Sequence, residues 1–170
     1  MTSIPSPDQL IQDLSDKLTE ILKQKQIENP VMVGIRTGGV WVAEKLHSNL
    51  NIQEPLGTLN ISFYRDDFSR IGVHPQVTPS ALPNEIEGRH IILVDDVIQT
   101  GRTIRAAMNE IFDFGRPASI ILICLLERSG HELPIRADIA GRQCTLNDDE
   151  QIKLTGPEPL AFEMKHVKVQ

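Results

Sequence analysis

Cysteine is scarce, positive charge is in deficit, and no apolar run is long enough to span a bilayer. The two cysteines, Cys124 and Cys144, have no CxxC spacing and no His pair beside them, so a metal site of that kind is excluded. Cys124, inside the apolar run from Ile120 to Leu126, reads as a buried thiol, and Cys144, in a polar stretch, as an incidental surface thiol. With 17 Lys and Arg against 23 Asp and Glu, the formal charge of −6 does not suit a broad basic nucleic-acid surface. Any contact with RNA must be a local patch. Pro5, Pro7 and Asp8 break any signal-peptide pattern, and with no spanning stretch the chain is expected in the cytoplasm with no membrane partner. Repeats and low-complexity tracts are absent too. What remains is 170 residues, 40% of them hydrophobic, enough for one domain over 1–170 with a sizeable core.

The most informative segment is the run from Ile91 to Thr103, IILVDDVIQTGRT. Four apolar residues suit a strand covered on both faces, and the run gives way to Asp95 and Asp96. Thr100-Gly101-Arg102-Thr103 then opens a helix, placing backbone N–H groups at the carboxyl end of a strand, where α/β sheets collect phosphorylated ligands. The acids accept hydrogen bonds from vicinal hydroxyls and place negative charge near a carbon that becomes positive. Gly101 allows close approach, and the two threonine hydroxyls add donors for a phosphate. The bland alternatives are an Asp pair capping a helix or the acidic pocket of a receiver domain. A receiver carries its pair on the first strand, whereas this one lies past the middle of the chain.

Residues Val94 to Ala106, VDDVIQTGRTIRA, resemble the phosphoribosyl-diphosphate (PRPP) signature of the type I phosphoribosyltransferases. Gly34 to Gly39, GIRTGG, resembles their pyrophosphate loop, and Leu56 to Asp67, ending in YRDD, the strand leading to their mobile catalytic loop. ELPIRAD, Glu132 to Asp138, is similar to one subfamily, the bifunctional pyrimidine-operon regulators with uracil phosphoribosyltransferase activity. The match covers about residues 5 to 155.

Element by element, an α/β fold is expected: a mostly parallel sheet flanked by helices, with a small hood. Ser6, Pro7 and Gln9 open a helix whose face is Leu10, Ile11, Leu14, Leu18, Ile21 and Leu22. Strand Val31–Ile35, helix Val40–Leu50, strand Gly57–Tyr64, strand Ile91–Val94, helix Arg102–Phe114, strand Ser119–Leu126 and a last strand near Gln151–Leu154 follow. Residues 65–88, with Pro75, Pro79 and Pro83, read as a flexible active-site cover, and 131–150 as the hood, its core His131 to Gly141. The tail 155–170 fits either a late strand or a loose extension.

The resemblance implies a pentosyltransferase that makes uridine monophosphate (UMP) and pyrophosphate from uracil and PRPP. It implies catalytic roles for Asp95, Asp96 and Arg65, with Arg70 as a lesser helper. Val97, Ile98, Gln99, Thr100, Gly101, Arg102 and Thr103 would hold PRPP and its 5-phosphate, and Arg36, Thr37, Gly38 and Gly39 the pyrophosphate. Relatives often carry a second basic residue where Gly38 stands, which leaves more of that work to backbone amides and magnesium. Arg136, Ile139 and Ala140 would face the nucleobase; Arg136 and Asp138 equally suit a structural ion pair. Arg65 beside Asp66 and Asp67 also fits a plain solvated charge.

Mg2+ would be bound mainly through PRPP, with no dedicated protein ligands. UMP-dependent binding of pyrimidine-operon leader RNA, hence transcription attenuation, is the second implied role, and a homo-oligomer is expected. The Arg-Gly-His-Arg usual before ELPIRAD reads Arg128-Ser129-Gly130-His131 here, with one positive charge fewer for RNA phosphates. Gln99 stands where purine-type relatives have a carboxylate and the pyrimidine branch an aromatic. An amide is no base, so Gln99 and ELPIRAD disfavour the alternative of a purine-base transferase. A regulator with little catalytic activity is the other alternative.

Overall fold

Ser6 accepts the Gln9 amide at 3.2 Å and Pro7 occupies the first helical position, so α1 (Pro7–Gln24) begins where its capping residues dictate. The computed structural model describes residues 3–61, 80–82 and 85–169. Along them run β1 (Val31–Ile35), α2 (Gly38–Asn49), β2 (Gly57–Leu59), β3 (His90–Ile98), α3 (Arg102–Phe114), β4 (Ser119–Arg128), β5 (Ile139–Cys144), β6 (Glu150–Thr155) and β7 (Ala161–His166). None of the helices described is long and apolar enough to cross a membrane.

Strands β1 to β5 form one parallel sheet in the order β2-β1-β3-β4-β5. Its faces follow the period-two alternation of β3. Ile92 and Val94 join Leu10, Leu14 and Leu18 of α1 and Val42, Ala43 and Leu46 of α2. Ile91 and Leu93 join Ile104, Ala107 and Ile111 of α3 on the opposite face. The chain moves outward from β1 to β2, then returns to β3 on the other side of β1. The order therefore reverses between β1 and β3, which opens a crevice beyond their carboxyl ends.

Three expectations are corrected. Strand β3 does not stop at Val94: Asp95, Val97 and Ile98 stay paired with Cys124, Leu126 and Glu127, because β4 is ten residues long and the β-branched Val97 and Ile98 suit a strand. Helix α2 begins at Gly38 rather than Val40, putting both glycines in its first turn. The hood read over 131–150 loses Ile139–Cys144 to the main sheet as β5, since β4 presents an open edge and Ile139 has an apolar layer to join. The unplaced tail resolves into a hairpin, β6 antiparallel to β7, anchored on the α1 and α2 side by Ile152, Leu154, Leu160 and Phe162.

Much of the expected cover, with Arg65 and Arg70, lies outside the described residues. Its return is tied down: Thr58 and Ala81 exchange backbone hydrogen bonds of 2.7 and 2.8 Å, and Ile86 is buried. Ser80 accepts the Asn60 amide and donates to Glu110 of α3.

Candidate active site

Both acids of β3 turn toward the first turn of α2. Asp95 is only 3% exposed and accepts the Asp96 amide at 2.8 Å on Oδ1. Asp96 is half-buried, and its Oδ1 accepts the Val97 amide at 2.8 Å. A Cβ on Gly38 would stand 2.3 Å from Asp96 Oδ2; one on Gly39 would stand 2.7 Å from the Val94 carbonyl oxygen and 3.3 Å from Asp95 Oδ1. Only glycines let the helix start this close to the strand. Thr37 makes no side-chain cap, so the positive end of α2 is directed at the carboxylates. Gly39→Ala should therefore push α2 off β3 and lower stability by about 1–3 kcal/mol, a loss that chemical denaturation would measure.

A cleft of about 370 Å3 opens over Asp95, Asp96, Val97, Ile98, Gln99, Thr100, Gly101, Thr103 and Ile104, with Gln151 of β6 closing it. Apart from Arg102, which is exposed, the whole predicted PRPP stretch is brought together here. At the cleft's far end α3 starts from Gly101 at φ +94°, a left-handed conformation that glycine adopts without strain; Gly101 has no side chain to cap the helix, and Thr100 Oγ1 accepts the Arg102 amide at 3.2 Å. The remaining N–H groups of its first turn carry the positive end of the helix dipole, which favours an anion. The Glu132 and Leu133 amides both donate to the Thr100 carbonyl, at 3.0 and 3.1 Å, and Ile135 packs behind Gly101. Part of ELPIRAD thus braces the phosphate turn from behind.

A second cleft of about 590 Å3 adjoins the first through Asp96, Val97 and Gln151. Thr37, Gly38 and Trp41 form its α2 wall and Ile152, Lys153, Leu154 and Lys165 its hairpin wall. Arg36, half-buried, precedes this wall on the loop from β1.

The nucleobase residues read from sequence do not gather here. Ile139 is buried in the layer with α1, and Ile139 and Ala140 border an open groove against Asp16, Lys17 and Glu20. Arg136 is exposed and donates to the Ile135 carbonyl, while Asp138 accepts the Leu122 amide at 2.8 Å. Gln99 is exposed and lies against Gly130. His131 stands 3.1 Å from the buried Glu127, which also accepts the Ala137 amide. Gln151, Lys153, Lys165 and Trp41 are the cleft residues that sequence reading missed. The polar–apolar alternation Gln151-Ile152-Lys153-Leu154 signals a two-faced strand, but not what its polar face overlooks.

Cys124 is buried, as its apolar run predicts, and Cys144 is half-buried rather than a surface thiol. Burial, then the charges of Glu127, Asp95 and Asp96, push the Cys124 thiol up from its ordinary pKa. Cys144 is raised by burial despite Arg128, and closes β5 rather than lying in a surface turn.

Residues 4–159 match the phosphoribosyl transferase domain family. A protein of Pseudomonas aeruginosa named bifunctional protein PyrR is 57% identical over 163 residues, covering 96% of each chain. Its namesake from Nitrosococcus oceani is 54% identical over 172 residues, covering 97% of each. Among solved structures, the hypoxanthine phosphoribosyltransferase of Trypanosoma cruzi superposes with a TM-score of 0.70 at 18% identity, covering 95% of this chain and 93% of that one. A purine phosphoribosyltransferase from Pyrococcus horikoshii gives 0.61 at 22% identity, covering 82% and 85%. The structural likenesses carry the fold alone. The sequence match, over nearly the full length of both chains, places this chain in the phosphoribosyltransferase family, within its bifunctional PyrR branch.

Proposed function

We propose that this protein transfers the phosphoribosyl group of PRPP to uracil, releasing UMP and pyrophosphate. The observation that carries the reading is the continuous lining of one cleft by Asp95 through Gly101, from two carboxylates to the start of a helix. Such a cleft matches a sugar whose hydroxyls and 5-phosphate must be held together. The 5-phosphate would sit on the first turn of α3, and Asp96, the more open acid, would accept from the ribose hydroxyls.

During transfer the C1–oxygen bond to the diphosphate breaks, a C1–N1 bond to uracil forms, and the N1 proton is released. Positive charge that develops at C1 is met by Asp96, with Asp95 beneath it fixing the Asp96 backbone through its 2.8 Å bond. Arg36, the start of α2 and, from outside the described residues, Arg65 would neutralise the departing diphosphate. Among the described residues no group of three or more His, Cys, Asp or Glu could hold a metal ion. A substrate-borne Mg2+ needs no such cage, and Asp96 fits as its single protein carboxylate. When bound, that ion supplies charge neutralisation at the diphosphate oxygens.

Turnover across uracil, hypoxanthine, guanine and orotate tests the assignment. Uracil is expected to be used at least about tenfold better than the others, because Gln99 lacks the basicity a purine-type site relies on. Preference for hypoxanthine or guanine would overturn it.

The second role, UMP-responsive binding of leader RNA, is supported by the bifunctional names of the relatives. Among the described residues of this net acidic protein, Arg128, His131 and Arg136 line a hollow of about 230 Å3 together with Glu127, Ser129 and Thr145. The Arg128 Nε is buried there with no hydrogen-bond partner. A gel shift of pyrimidine-operon leader RNA, with and without UMP, decides whether this role is retained. Binding indifferent to UMP would leave the enzyme alone.

A further inference from the structure

The diphosphate half of the cleft has a charge problem that its own loop cannot solve. A diphosphate leaving group is at least a dianion, and Asp95 and Asp96 add two carboxylates beside it. The start of α2 is already set against both acids, through Gly39 at Asp95 and Gly38 at Asp96. A Cβ at Gly38 would lie 2.3 Å from Asp96 Oδ2, so a basic side chain there would displace the Asp96 carboxylate. Any charge beyond that of Arg36, Arg65 and the substrate-borne Mg2+ comes from another element.

The hairpin supplies it. In β6, Ile152 and Leu154 are buried, so Gln151 and Lys153 point to the opposite face. The register sets Gln151 across from Lys165 and Lys153 across from Glu163, which puts both lysines on that same face. Lys153 and Lys165 border the second cleft across from Thr37, Gly38 and Asp96, at the edge of a hairpin wall that also includes Ile152 and Leu154. The packing of the hairpin turn holds them there: a Cβ on Gly156 would meet Trp41 of α2 at 3.1 Å and Leu160 at 2.6 Å. Lys165 is half-exposed and only loosely paired with Glu163, at 3.9 Å, so its ammonium is available to a stronger anion. Lysine suits this task, being a mobile point charge with three donors on a flexible stem.

We infer that Lys153 and Lys165 of the β6–β7 hairpin hold the diphosphate of PRPP from the side opposite the pyrophosphate loop. They replace, from across the cleft, the basic side chain that Gly38 does not carry. This rests on the transferase reading above and adds to it two residues that bind the leaving group. The lysines contact the reacting molecule through its diphosphate and leave the uracil end alone, which separates their role from a general effect on the fold.

The test uses the full chain with Lys153→Met, Lys165→Met, the double variant, and Lys168→Met as a charge control outside the cleft. Each single change is expected to raise the KM for PRPP and the inhibition constant of inorganic pyrophosphate by about 3–10-fold, and the double change by about 10–100-fold. The KM for uracil should stay within about twofold, since no uracil contact is removed. Lys168→Met should match the wild type, and Lys165→Arg should recover most of the loss by restoring the charge. If pyrophosphate inhibits the double variant as strongly as the wild type, the lysines are a solvated face and this inference fails while the transferase reading stands. If the wild type neither consumes PRPP nor binds pyrophosphate, the parent reading fails and takes the inference with it.

Discussion

Asp96→Asn is expected to reduce turnover by about 10²–10³-fold while the protein still melts cooperatively near the wild-type temperature. The two halves of this expectation have separate causes. Asp96 is half-buried, and the bond that ties it to the backbone is made by Oδ1, which accepts the Val97 amide at 2.8 Å. An asparagine retains that carbonyl-type oxygen, so the strand end keeps its geometry. What the substitution removes is negative charge at the point where C1 becomes positive, together with an acceptor for a ribose hydroxyl. Its new NH2 would take the place that Oδ2 holds beside Gly38. Initial rates of UMP formation and a thermal melt read the two quantities independently. Unchanged turnover would remove the acids from the chemistry, and a collapsed melt would make Asp96 a structural residue.

Gly101→Val is expected to damage binding and stability together. At φ +94° a β-branched residue is strained by roughly 1–3 kcal/mol, whatever space surrounds it. Here the space is also taken: the new Cβ would lie 3.2 Å from Ile135 Cβ and 3.4 Å from Leu133 Cβ. Neither neighbour can retreat freely. Leu133 donates its amide to the Thr100 carbonyl at 3.1 Å, so relief at Leu133 pulls on the phosphate turn. The KM for PRPP should rise by at least about tenfold, and the uracil KM should move less, because the damage is confined to the turn that takes the 5-phosphate. Titration with PRPP in a calorimeter and a denaturant curve check both parts. A variant with native stability and native PRPP affinity would mean that the turn tolerates a right-handed alternative and does not bind through its helix start.

How far the chain could be read in advance follows from the range of the forces involved. The cap at Ser6, the strand Val31–Ile35 and the helix Arg102–Phe114 depend on neighbours within a few residues, and all three stand where local chemistry puts them. The acid pair and the phosphate turn are contiguous, so their place at one sheet edge was legible as well. Strand β3 was read too short because pairing with β4 continues past the point where hydrophobicity ends. Ile139 was set over a nucleobase, yet it lies in the core, because nothing local to ELPIRAD reveals that β4 has an open edge to fill.

Composition and motif spacing were enough to indicate an α/β domain and to point to a sugar-phosphate site, since backbone amides, acids and glycines lie within one strand–turn–helix unit. The second wall of that site depended on folding. Gln151, Lys153 and Lys165 are remote in sequence from Asp96, and they share its cleft because buried Ile152, Leu154 and Leu160, with half-buried Phe162, seat the hairpin on the layer that α1 and α2 share. Hydrophobic burial has no directional code in the chain. It takes the packed sheet to show which face the polar side chains of that hairpin overlook.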